Sequence, residues 1–134
     1  MNTEFSDAVE RELAFLVDER GFQLVEVNDE VVRFASPEAV VTASYYPSEC
    51  QVDVTVVPAD GRDRYEELIL SGMVGQASPA RLLQLAAEKL RPNVAALSGD
   101  QSYFARLGDK RRREAEAWTA YYEGEGPRPR GKLP

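Results

Sequence analysis

Histidine is absent from this chain, and cysteine occurs once, at Cys50. Without an imidazole there can be no Ser-His-Asp triad, no Cys-His pair and no His-ligated zinc or iron. A single thiol excludes an internal disulfide and, within one chain, a Cys-only zinc or iron–sulfur site. Cys50 itself reads as a small core residue at the start of a strand, because nothing nearby specifies a base to activate it. Phosphate-cradling glycine patterns are also missing: neither GxxxxGK[ST] nor GxGxxG occurs, and Gly72-Met-Val-Gly75 is too short to replace them. Asp60-Gly-Arg-Asp63 lacks the ligand spacing of a calcium loop. No catalytic, cofactor-binding or metal-binding residue is therefore assigned. Carboxylate chemistry stays open, since 23 acidic side chains always allow some pair to meet.

Long apolar runs are lacking too, and none approaches the ~18 residues of a membrane span. The opening Met-Asn-Thr-Glu-Phe-Ser-Asp has neither the basic region nor the apolar stretch of a signal peptide, so a cytoplasmic location is expected. A lone cysteine agrees with a reducing compartment.

What is present suits one folded unit. The chain has 134 residues, 43% hydrophobic and 29% charged, enough to bury a core unaided. Charge is distributed unevenly: residues 1–60 hold 13 acidic and 3 basic side chains, a net of −10, whereas residues 61–134 hold 10 acidic and 13 basic, a net of +3. Such asymmetry marks either an acidic face that steers a basic partner or a device for solubility.

Apolar residues Phe5, Val9, Leu13 and Leu16 recur every three or four positions from Thr3 to Arg20, and Gly21 supplies a stop, which predicts an amphipathic helix. The period then changes to two. Phe22–Asn28 and Val31–Ser36 read as strands joined by Asn28-Asp29-Glu30, and Val40–Tyr46 and Cys50–Val57 as two more joined by Tyr46-Pro47-Ser48-Glu49. Cys50, Val52, Val54 and Val56 fall on one side of the last and Gln51, Asp53 and Thr55 on the other, so the sheet is covered on a single face. Residues from Pro58 to Arg64 read as a loop, and 65–77 as a short helical or irregular connection in which a fifth strand is the alternative.

Ser78-Pro79 opens a helix striped with Leu82, Leu83, Ala86 and Leu90, and Pro92 ends or kinks it. Ser98 with Gln101 offers a capping box, with Asp100 a competing cap, before a last helix bearing Phe104, Leu107, Ala115, Trp118 and Tyr122. Trp118, Tyr121 and Tyr122 either finish the core or expose an interface. The expected class is α+β: an N-terminal helix, a four-stranded antiparallel meander, then two or three C-terminal helices on one sheet face. Residues 1–124 form the domain and 125–134 a flexible Pro/Arg/Gly tail.

Two surfaces compete for a functional role. Lys110–Arg113 are four basic residues in a row, but on a helix they spread over about 300° of azimuth, and Glu114 and Glu116 stand where they pair with them. A solvated helix face is favoured over nucleic-acid binding, with Arg111 laying its stem on the rim of the core. The sharper candidate is Tyr45, Tyr46, Glu49 and Asp53, an aromatic and acidic mixture in or beside the third and fourth strands that fits a basic protein surface. The alternative is that the tyrosines cover the core and the acids are merely solvated.

Phe15-Leu-Val-Asp-Glu-Arg-Gly-Phe22 ahead of Val32-Arg-Phe34, the strand Gln51–Val57, and Leu85-Ala-Ala-Glu-Lys-Leu90 followed by Gly99-Asp100 before a last helix together resemble small, largely uncharacterised bacterial proteins of the toxin-immunity type. The resemblance implies a non-catalytic inhibitor with a cognate toxin as partner, bound stoichiometrically. An acidic inhibitor of a basic nuclease toxin would fit the charge asymmetry.

Overall fold

A computed structural model describes residues 3–59, 66–75 and 77–129. Its chain order is α1 (Glu4–Glu12), α2 (Ala14–Arg20), β1 (Gln23–Val27), β2 (Val31–Ala35), β3 (Ala39–Tyr46), β4 (Gln51–Pro58), β5 (Glu67–Met73), α3 (Pro79–Leu90), α4 (Val94–Leu97) and α5 (Gln101–Tyr122). The architecture is α+β, as the change of period predicts, with a five-stranded antiparallel meander in the order β1-β2-β3-β4-β5. Most of the loop expected after Pro58 and the end of the expected tail lie outside the described residues.

The first apolar stripe runs as two helices, broken at Leu13 (φ −103°, ψ 13°). In one straight helix Leu13 and Phe15 would stand roughly 160° apart around the axis, too far to share a narrow stripe. The break re-aims the chain so that Leu13, Phe15 and Leu16 are all buried. Gly21 ends α2 in the left-handed conformation (φ 74°), as the stop signal predicts. Arg91, just beyond α3, sets its guanidinium 4.5 Å over the Phe15 ring and pairs with Glu19 at 3.0 Å, tying α2 to α3.

The β1–β2 turn forms because Asn28 Oδ1 accepts from the amides of Glu30 (2.9 Å) and Val31 (2.8 Å), an Asx turn that closes the hairpin. Between β3 and β4 the turn is a 3₁₀ segment, Pro47–Glu49, ended by Cys50 with φ 50°. This corrects the reading of Cys50: the thiol is exposed at a turn, not packed in the core. Val52, Val54 and Val56 do point inward as expected, and Pro58, expected in the loop, is the buried end of β4.

A second correction concerns 65–77, where four strands were expected and a fifth is present. β5 pairs with β4 through a bulge between Val54 and Thr55, so neighbouring Ile69 and Leu70 are both buried while Leu68 stays exposed. The bulge erases the period-two pattern that identifies a strand. Gly72 belongs there for contact reasons, since a Cβ would sit 2.6 Å from Leu82 Cδ2 of α3.

Ser78 caps α3 by accepting from the Arg81 amide at 3.2 Å, as expected, and Asn93 caps α4 by accepting from Ala96 at the same distance. Of the two competing caps before α5, Asp100 prevails, accepting from the Tyr103 amide at 2.9 Å, whereas the Ser98 hydroxyl donates to the Ala95 carbonyl. Between them Gly99 holds φ 63° with its α-carbon pressed against the β2–β3 turn; a Cβ would collide with the Glu38 carbonyl oxygen. The core lies between the helices and the inner sheet face. Phe34, Phe104, Leu13, Leu16, Leu83 and Leu90 are its largest fully buried side chains, each worth about 1.5–3 kcal/mol of burial.

Candidate functional site

Among the described residues no helix covers the outer sheet face, and strand register fixes what it displays. One row crosses the sheet as Glu26, Arg33, Thr42, Thr55 and Leu68; a second runs Val31, Ser44, Asp53 and Ser71; a third runs Tyr46, Gln51 and Met73. The outer face holds a hollow of about 400 Å³ whose lining includes Thr42, Thr55, Arg33, Tyr46, Asp53 and Glu66.

The lining is held in place by local bonds. Arg33 donates from Nη1 to Glu26 at 2.7 Å and from Nε to Thr42 Oγ1 at 3.3 Å, so its guanidinium lies along the sheet. Gln51 Nε2 donates to Asp53 Oδ1 at 2.8 Å and to Ser71 Oγ at 2.7 Å, a bridge between β4 and β5 that orients the carboxylate. With Arg33 tied to Glu26, neither Asp53 nor Glu66 has an ion-pair partner among the described residues, so the hollow presents hydroxyls, β-branched side chains and carboxylates. That surface suits a partner's basic and polar groups.

The four residues expected to bind a partner are divided by the sheet. Tyr46 and Asp53 share the outer hollow. Tyr45, one residue along β3, points the other way and stacks on Phe5 with ring centroids 5.6 Å apart. It lines a separate cavity of about 380 Å³ at the end of the sheet, whose rim includes Glu4, Asp29 and Glu30. Glu49 lies in the exposed 3₁₀ turn and lines neither. The sequence reading missed Arg33, Thr42, Thr55 and Glu66. Thr42 and Thr55 were available from pairing, because Tyr46 opposite Gln51 through the turn makes every second residue of β3 and β4 share the outer face.

The basic run has a different fate. Lys110, Arg112 and Arg113 are exposed, with Lys110 and Arg113 on one side of α5 and Arg112 off it, and Arg111 is half-buried, as expected for a residue on the core's rim. The expected pairing with Glu114 and Glu116 is replaced by an upstream partner: Arg112 donates to Asp109 Oδ1 at 2.8 Å, and Arg113 Nε donates to the Asp109 carbonyl at 3.4 Å. Ala115 and Tyr122, placed on the apolar stripe by spacing, are exposed. Trp118 is buried, packed on Tyr121 and Tyr122 at 5.8 Å each.

The phenol of Tyr103 is the titrating group whose surroundings move it. Burial pushes it above its ordinary range, the donated bond from Asn93 Nδ2 at 3.3 Å pulls against that, and the nearby Glu67 carboxylate pushes it further up. Its position between α4, α5 and β5 makes it a structural contact. Among the described residues, no group of three or more His, Cys, Asp or Glu side chains could hold a metal ion, and no helix is long and apolar enough to cross a membrane.

Compared with known proteins, the chain matches no family model, no curated protein and no solved structure.

Proposed function

We propose that this chain is a non-catalytic protein-binding domain that receives a basic partner on its outer sheet face, in the manner of an immunity-type inhibitor of a cognate toxin. The observation that carries this reading is the hollow on the outer face. It is uncovered among the described residues, its central carboxylate is oriented by hydrogen bonds, and residues 21–59, which form β1–β4 and their turns, hold six acidic side chains against one basic. The single arginine is already paired, which leaves the negative field to act on an approaching cationic surface. Of the four residues first singled out, Tyr46 and Asp53 remain in the proposed site. The reading places the chain in the cytoplasm, where a lone exposed thiol stays reduced.

Nucleic-acid binding through α5 is the weaker reading, because only Lys110 and Arg113 of the run share an exposed side and Arg112 is paired with Asp109. The test is affinity capture from the source cells at low and moderate salt, with protein and nucleic acid both measured. The expected result is one stoichiometric protein that survives the moderate-salt wash, is lost with Tyr46→Ala/Asp53→Lys, and is kept by Glu88→Lys on the exposed side of α3. Nucleic acid stripped by moderate salt and lost on neutralising Arg112 and Arg113 would overturn the proposal.

A further inference from the structure

The second unused surface is an edge. Among the described residues β1 has β2 on one side and no strand on the other, and α2 reaches it without covering it: Leu24, Val25 and Val27 are 39%, 54% and 46% exposed. Three of five residues in an open edge strand are therefore solvent-facing and apolar. The backbone is open as well. Asn28 N donates to Val31 O at 2.9 Å, and the alternation of an antiparallel ladder makes the adjacent Val27–Val32 pair a non-hydrogen-bonded one, so the amide and carbonyl of Val27 point away from β2. Val25 has no register partner on β2, because the strand bulges between Leu24 and Glu26. Glu26, the charge that would keep another strand away, is bound to Arg33 at 2.7 Å.

The ends of this edge differ in charge. Arg20 lies just before it, its Nη2 donating to the Arg91 carbonyl oxygen at 3.1 Å, while Arg91 is occupied by Glu19. Asp29 and Glu30 lie just after it in the turn. Among the described residues none of Arg20, Asp29 and Glu30 has an ion-pair partner. A strand with an unpaired cation at its start and unpaired anions at its end is complementary to an antiparallel copy of itself.

We propose that β1 is a self-association edge on which a second copy of this chain docks. Two β1 strands pair antiparallel about a two-fold axis near Val25, joining two five-stranded sheets into one of ten. Residues 20–22 of each copy then lie beside 28–30 of the other, so Arg20 meets Asp29 and Glu30 twice, and the exposed Val25 side chains meet at the axis. This is the isologous contact that a closed dimer requires. A five-residue edge makes a small interface, below the ~1,200 Å² of stable complexes, so the dimer is a weak one. Each copy's charge of −7 opposes approach at long range, a repulsion cut off within about 8 Å at 0.15 M salt.

The test is sedimentation equilibrium of the full chain at about 0.15 M salt, from roughly 1 μM to 1 mM. The mass should rise with concentration from 14.9 kDa toward twice that value. Val25→Lys should move the midpoint up about tenfold or more, and Arg20→Glu and Glu30→Arg should each weaken association severalfold, with the double reversal restoring it. Circular dichroism confirms that each variant is folded, and because these positions are exposed the fold is expected to survive. A monomer throughout the range overturns the proposal. So does a dimer indifferent to Val25→Lys, or a double reversal that fails to restore pairing. A monomer whose β1 amides become protected from exchange only when a foreign protein is added gives the edge to another chain and overturns it likewise.

Discussion

The two faces of the sheet are made from the same strands yet obey different rules. On the inner side Val32, Phe34, Val41, Val52, Val54 and Val56 are almost wholly buried, and the helices leave no room for change. On the outer side the alternating neighbours Arg33, Thr42, Asp53 and Thr55 are half-buried, with Arg33 hydrogen-bonded to Thr42 and Asp53 to Gln51. Inner residues are constrained by volume and outer ones by pairing. A binding function can change the second set without endangering the fold, which is why the outer face is the place to look for it.

Adjacent residues of β2 put this contrast to its hardest test. Phe34→Ala empties a fully buried site and is expected to cost about 4 kcal/mol in chemical denaturation. Arg33→Ala, one residue away, removes a part-exposed ion pair and should cost under about 1 kcal/mol. Equal costs would mean that the two faces are not distinct. Next in size is Gly99→Ala, expected to lose about 3 kcal/mol because it combines a positive φ with a collision against the Glu38 carbonyl. Gly21→Ala has a positive φ but open space, and about 1 kcal/mol should suffice; thermal melts of the pair separate backbone strain from packing.

The smallest effect is electrostatic and lies at high pH. A phenol whose folded pKa is raised keeps its proton in the native state after the unfolded chain has begun to lose it, near 10. Its contribution is complete below that pH and declines as pH rises toward the folded value. Stability should therefore fall on the alkaline side, and Tyr103→Phe should flatten that part of the curve relative to its own neutral-pH value. An unchanged alkaline slope would remove Tyr103 from the account.

How much of this was legible in the sequence depended on whether local rules agreed with tertiary ones. The meander from β1 to β4 was readable because Val52, Val54 and Val56 alternate with polar neighbours and Asn28 supplies its own turn. β5 was not, because a bulge places Ile69 and Leu70 side by side in the core and exposes Leu68 between them and the chain before. Cys50 was misplaced for a related reason: extending the alternation by one residue carried it into a turn whose left-handed backbone the sequence does not signal. Ser98 and Asp100 offered two caps, and only the path forced by Gly99 against Glu38 decides between them. At the candidate site, Tyr46 and Asp53 share the outer hollow while Tyr45 does not, which follows from strand parity alone. The roles of Arg33 and Glu66 needed strand order, which no local pattern supplies.

α5 has a consequence for spectroscopy. Its first turns reach the core through Phe104 and Leu107, whereas Trp118, among the described residues, lies outside the main apolar cluster and rests on Tyr121 and Tyr122 of its own helix. Trp118 is the chain's one tryptophan, so intrinsic fluorescence views the far end of a helix of roughly 33 Å and not the sheet. Fluorescence is expected to change at lower denaturant than far-ultraviolet circular dichroism does, because the distal turns can open without the core. The two curves together would record a two-part molecule where either alone would suggest a single cooperative one.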